Sequence, residues 1–130
     1  MLFRSILGDP IPLDTPDPKF SDFMGQVKRQ IEAKLFYPCI KSPSTWVCEP
    51  KNTEVVVQFG ILKSGGLQFV ELWVSSPWPD YDASSLNAIR LASPFPPVPA
   101  AIMATRAPGS TGVPIEGHFT FSVTYSTLIR

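Results

Sequence analysis

Histidine occurs once in these 130 residues, at His118, and cysteine only at Cys39 and Cys48. A metal centre needs several convergent ligands, so neither a structural nor a catalytic metal site is expected. The chain also lacks a serine–histidine–acid spacing, a glycine-rich phosphate loop and a ligand cluster. No catalytic set and no cofactor follow from it, and the reading is of a non-enzyme. Asp80 and Asp82 read as helix caps, not as an acid pair. Long hydrophobic runs are absent too, and no stretch has the length needed to cross a bilayer. Neither sign of charge is in excess: 11 Lys and Arg stand against 11 Asp and Glu, with no basic run. That balance gives no reason to expect nucleic acid or an anionic membrane as partner. The opening segment, Met1 to Gly8, is too short for a secretory hydrophobic region with a cleavage site, and Asp9-Pro10 interrupts it. Two readings stay open: a cytosolic protein, or one whose export signal or anchor lies outside this segment.

What is present is a globular composition, 44% apolar and 17% charged, sufficient for one core. Residues 1–19 hold Pro10, Pro12, Pro16 and Pro18 without helical period and read as a proline-rich lead-in; residues 20–130 read as the domain. From Phe20 to Phe36 apolar residues fall at Phe20, Phe23, Met24, Val27, Ile31 and Leu35, an amphipathic helix capped by Ser21 or Asp22 and stopped by Pro38. Thr53–Leu62 and Leu67–Ser75 alternate, and the turn containing Gly65-Gly66 joins them as an antiparallel hairpin. A second helix carries Ala83, Leu86, Ile89 and Ala92 inward and ends at Pro94. The last strand runs from Ile115 to Tyr125, with Ile115, Gly117, Phe119, Phe121, Val123 and Tyr125 alternating against polar neighbours. His118 falls on its wet side and reads as a solvated side chain. Phe69 and Trp73 share the outer hairpin face, either as a self-association patch or beneath Leu2, Phe3, Ile6 and Leu7.

Cys39 and Cys48 are nine positions apart in a stretch with Pro38, Pro43 and Pro50. One disulfide in an oxidising compartment suits that spacing; two reduced cysteines are the alternative.

The order helix, strand, strand, helix, strand predicts an α+β two-layer sandwich, with both helices on one face of a three-stranded antiparallel or mixed sheet. The helical crossover suits parallel strands in one sheet, which gives the strand order 2-1-3 and makes the last strand an edge. That edge carries neither inward charge nor proline between Ile115 and Tyr125. It is either covered by the lead-in or a dimer mate, or left open for a partner's strand.

These residues carry a resemblance. The helix ending in Leu35-Phe-Tyr-Pro38, the strand Glu54 to Phe59, the Gly65 to Leu72 hairpin, Asp82 to Ile89, Ala92 to Pro96 and the alternating Ile115–Tyr125 strand follow one another as in TonB and TolA C-terminal domains. The chain resembles that family over residues 20–125. It departs from the family at Pro77, where Ser-Ser-Gly is usual, and at Cys39.

The resemblance implies a periplasmic interaction domain of a proton-motive-force energy transducer, anchored in the inner membrane by a segment not present in this chain and coupled there to motor proteins. It implies as partner an extended peptide of an outer-membrane TonB-dependent transporter or, in the TolA-like alternative, a periplasmic protein of the Tol system. A stand-alone structural homodimer is the further alternative. The expected partner-binding residues are Gly117, His118, Phe119, Thr120, Phe121, Ser122 and Val123 on the last strand, by β-strand addition, with side-chain contacts from Tyr37, Pro38 and Ile40.

Overall fold

The computed structural model describes residues 5–130. Its elements are β1 (Ile11–Pro12), α1 (Pro18–Lys34), β2 (Thr53–Leu62), β3 (Leu67–Val74), α2 (Pro79–Ala92), α3 (Ala100–Met103), β4 (Gly112–Phe121) and β5 (Thr127–Ile129). α1 begins ahead of the expected caps. Pro18 stands in the first turn with its backbone preset for a helix, and the Asp17 carboxylate accepts from the Lys19 amide at 3.0 Å. Ser21 and Asp22 therefore lie inside the helix. It ends at Lys34 with Leu35 extended, so Tyr37 and Pro38 belong to the loop beyond. Its buried stripe is Phe20, Phe23, Met24, Val27 and Ile31.

α2 is rotated from the expectation. Tyr81, Ser85, Ala88, Ile89 and Ala92 are buried, Leu86 is half-buried and Ala83 is exposed. Burying an aromatic ring removes far more apolar surface from water than burying a methyl group, so Tyr81 sets the orientation. Trp78 occupies the capping position without a side-chain cap. Asp82 instead accepts from the Ser76 amide at 2.7 Å.

β2 pairs antiparallel with β3 on one side and β4 on the other. β3 and β4 therefore run parallel to each other with β2 between them, as the α2 crossover requires. The expected three-stranded sheet needs one correction: it is a five-stranded mixed sheet that continues past β4 through β1 and β5. The last strand stops at Phe121, and the chain turns through Tyr125 at φ 61° into β5. α1 and α2 pack together over one face, where Val57, Phe59, Ile61, Ile115 and Phe119 are fully buried against them.

The other face is partly covered as well. Ile6 is buried there, and a Cβ on Gly60 would come within 2.8 Å of its Cδ1 and 2.4 Å of the Phe69 ring. The missing side chain at Gly60 is thus what seats Ile6 beside Phe69. Leu2 and Phe3, expected to share that role, lie outside the described residues. Ile11 and Leu13 are buried too, so the proline-rich lead-in is packed into the domain. At the hairpin turn, Gly65 has φ 102°, and a Cβ there would sit 2.1 Å from the Phe95 carbonyl oxygen. Only glycine fits both demands.

Candidate functional site

The inner edge of β4 is paired with β2 over its whole length. Of the two readings of its outer edge, open along Gly117–Val123 or covered, the structure shows the edge covered. Ile11 and Pro12 pair in parallel with Ile115 and Glu116, and the Leu13 amide donates to the Glu116 carbonyl at 2.9 Å. β5 pairs antiparallel with Phe119, Thr120 and Phe121. His118 and Arg130 extend that ladder by exchanging main-chain bonds of 2.7 and 2.9 Å. The chain's own two terminal segments therefore occupy the rim. Edge amides and carbonyls find partners wherever apolar anchors hold a strand beside them; Ile11, Leu13 and Ile129 are those anchors, all buried.

Ser122 and Val123 are not strand residues. Ser122 N–H donates to the Ser126 carbonyl at 2.9 Å and Val123 N–H to Asn52 Oδ1 at 2.9 Å, both in the turn before β5. Gly117, Phe119 and Phe121 face the core, while His118 and Thr120 are half-buried on the opposite face.

His118 is not the solitary solvated side chain expected. Its Nδ1 lies 3.2 Å from Glu54 Oε1 and its Nε2 3.1 Å from Glu116 Oε2. The bond to Glu116, helped by Glu54, favours the imidazolium and raises the pKa above the ordinary 6.5, against the opposing effect of burial. Its main-chain N–H and C=O meanwhile hold Arg130.

Tyr37 and Ile40 turn inward. The Tyr37 hydroxyl donates to the Ser122 carbonyl at 2.6 Å, and its ring packs against Tyr81, Phe121 and Tyr125 at centroid distances of 5.8, 5.8 and 5.2 Å. Burial, then the neighbouring Tyr81 hydroxyl, pushes its pKa up to about 12. Ile40 packs on the core and Pro38 is half-buried; the exposed neighbour is Phe36, at 75%. Tyr37 thus pins the turn between β4 and β5. Cys39 and Cys48 are joined in a disulfide that closes a loop with Trp46 exposed near its tip.

The far rim is β3. Two register shifts leave Gln68 and Trp73 as bulged residues there, a device that hinders pairing with a further strand. Trp73 is exposed, its indole N–H donating to Glu71 at 3.3 Å. In this conformation β4 is the smoother rim, and it is held by segments of two and three residues.

The model of a family described as TonB C terminal matches residues 20–111, more than half of the sequence. This chain belongs to the TonB C-terminal family. The matched region of this TonB-type domain spans α1 to α3 and stops just before β4. Membership supports a periplasmic, non-enzymatic interaction domain. No curated protein matches the chain at a significant level. No helix among the described residues of the TonB-type domain is long and apolar enough to cross a membrane.

Sequence reasoning missed β5, Tyr81 and Asp17. A signal for β5 existed: Ile129 follows a hydroxyl-rich stretch, Ser122, Thr124 and Ser126, of the kind that forms hairpin turns.

Proposed function

We propose that this domain couples a proton-motive-force transducer to an outer-membrane transporter by binding an extended transporter peptide along the outer edge of β4, in place of β5. The observation that carries the reading is the cover itself. β4 already accepts a short strand at Phe119–Phe121, so the register, the amide directions and an apolar socket for one side chain exist there.

The cover is weak enough to exchange. β5 and its flanks make about five main-chain bonds, each worth roughly 1 kcal/mol net. Burial of Ile129 adds roughly 2 kcal/mol. Ordering the five residues from Ser126 to Arg130 opposes this by about 1.5 kcal/mol each. The two sides come within a few kcal/mol of each other, so β5 is held only marginally and a competing strand need bring only a modest advantage. That strand must carry an aliphatic side chain for the Ile129 socket, with polar residues on either side of it.

The test is titration of the isotopically labelled full chain with peptides from the periplasmic N-terminal segments of outer-membrane transporters, followed by amide resonances. Shifts are expected at His118–Phe121, with Thr127–Arg130 moving to values of a disordered chain. Shifts confined to β3 or the helices, with β5 unmoved, would sink the reading.

A further inference from the structure

The bridge between Cys39 and Cys48 is unequally placed. Cys39 is exposed and Cys48 half-buried. Cys39 lines a surface groove of about 370 Å³ shared with Lys34, Phe36, Asp80, Ser84 and Leu91. Phe36 and Leu91 are 75% and 55% exposed beside it, an apolar margin that suits a protein surface better than a small thiol. Lys34 and Asp80 both line it, so the groove carries no net charge that would repel an incoming thiolate.

The same bridge reaches the β5 cover. The Cys48 carbonyl accepts the Tyr125 hydroxyl at 3.0 Å. Tyr125 stands at φ 61° in the turn before β5, a conformation an aromatic residue holds only when its surroundings enforce it. Its ring lies 5.2 Å from that of Tyr37, two residues before Cys39, and the Tyr37 hydroxyl holds the Ser122 carbonyl. The two anchors of the turn are therefore tied to opposite ends of the disulfide, Tyr125 to Cys48 and Tyr37 to the chain just before Cys39. Besides the disulfide, the loop is held by the Lys41–Cys48 β-bridge and by the Glu49 N–H bond to the Ile40 carbonyl.

We propose that Cys39 is a site of thiol–disulfide exchange with a dithiol protein docking on this groove, and that opening the bridge releases the β5 cover. The second half rests on the function proposed above. A thiolate of the dithiol attacks Cys39 Sγ, the bond to Cys48 breaks, and Cys48 leaves as a thiolate that takes up a proton. The second thiol then attacks the mixed disulfide and frees Cys39. The chain gains two electrons and two protons, and the dithiol becomes a disulfide.

Closing a loop this short restricts the unfolded chain by a factor on the order of ten to a hundred, so opening it lowers global stability, and the gate requires a larger loss at the turn than in β2. The experiment is amide hydrogen exchange on the full chain, oxidised, reduced by a phosphine, and as the Cys39→Ser/Cys48→Ser variant. The amides of His118, Ser122 and Arg130 are expected to exchange about tenfold or more faster in both open forms, beyond any acceleration at Val57 and Phe59 of β2, which reports the global loss of stability. A thioredoxin-like protein in its Cys-x-x-Ser form is expected to be trapped on Cys39 by peptide mapping. Trapping on Cys48 overturns the site. Unchanged protection at the rim, or equal acceleration at β2, overturns the gate. Peptide titration with the bridge intact measures strand addition separately, so failure here leaves that function standing.

Discussion

Replacing Ile129 with alanine separates a removable cover from an integral strand. Ile129 is 1% exposed, and truncating a fully buried isoleucine ordinarily lowers stability by about 2–5 kcal/mol. Ile31, fully buried in the last turn of α1, should lose that full amount. At Ile129 the loss is capped, because β5 can detach while the rest of the domain stays folded. With bonds and burial nearly balancing the ordering of Ser126–Arg130, Ile129→Ala should lower global stability by no more than about 2 kcal/mol. Urea unfolding of both variants, followed by circular dichroism, measures the difference. Hydrogen exchange should show the amides of Arg130 and His118 losing protection while those of β2 keep theirs. An Ile129→Ala loss as large as that of Ile31→Ala, with β2 losing protection in step, would make β5 part of the cooperative core. Strand exchange at β4 would then have no basis.

Three other outcomes follow from the same geometry. His118 has a raised pKa in the fold, so its contribution is complete below the unfolded value near 6.5 and is lost as pH rises through the folded value. The ring is partly exposed, so the change should stay below about 1 kcal/mol; His118→Gln should flatten the urea midpoint measured from pH 5.5 to 8.5. Tyr37→Phe removes the bond to the Ser122 carbonyl and should lower stability by about 1–2 kcal/mol, with faster exchange at Ser122, read by urea unfolding and hydrogen exchange. Gly65→Ala places a Cβ against the Phe95 carbonyl at positive φ and should lower the unfolding free energy by at least about 2 kcal/mol; an unchanged thermal midpoint would contradict the steric account.

Periodicity made the long elements legible. Val55, Val57, Phe59 and Ile61 alternate in β2, and Phe20 to Ile31 step by three and four in α1; both patterns reappear as buried faces. The alternation also misled. Val123 and Tyr125 continue the period of Ile115–Phe121 but stand 47% and 53% exposed in a turn, because Tyr125 adopts a left-handed backbone that no two-residue period can announce. Tyr37 and Ile40, beside Pro38, are partner contacts in what the family resemblance implies. Their side chains instead go to the aromatic cluster and the core, since an apolar group near a core is more stable inside it. The two carboxylates on His118 come from β2 and from β4 itself, and register brought Glu54 across to it.

By itself, the sequence determined the layers: two amphipathic helices over one sheet, and the hairpin. The covering of the β4 rim by Ile11–Leu13 and Thr127–Arg130 was decided only in three dimensions. Side-chain pattern records which face of an element is apolar, and so encodes layers. A strand edge is satisfied by main-chain N–H and C=O groups that nearly every residue carries alike, so the pattern is silent about which segment lies beside it.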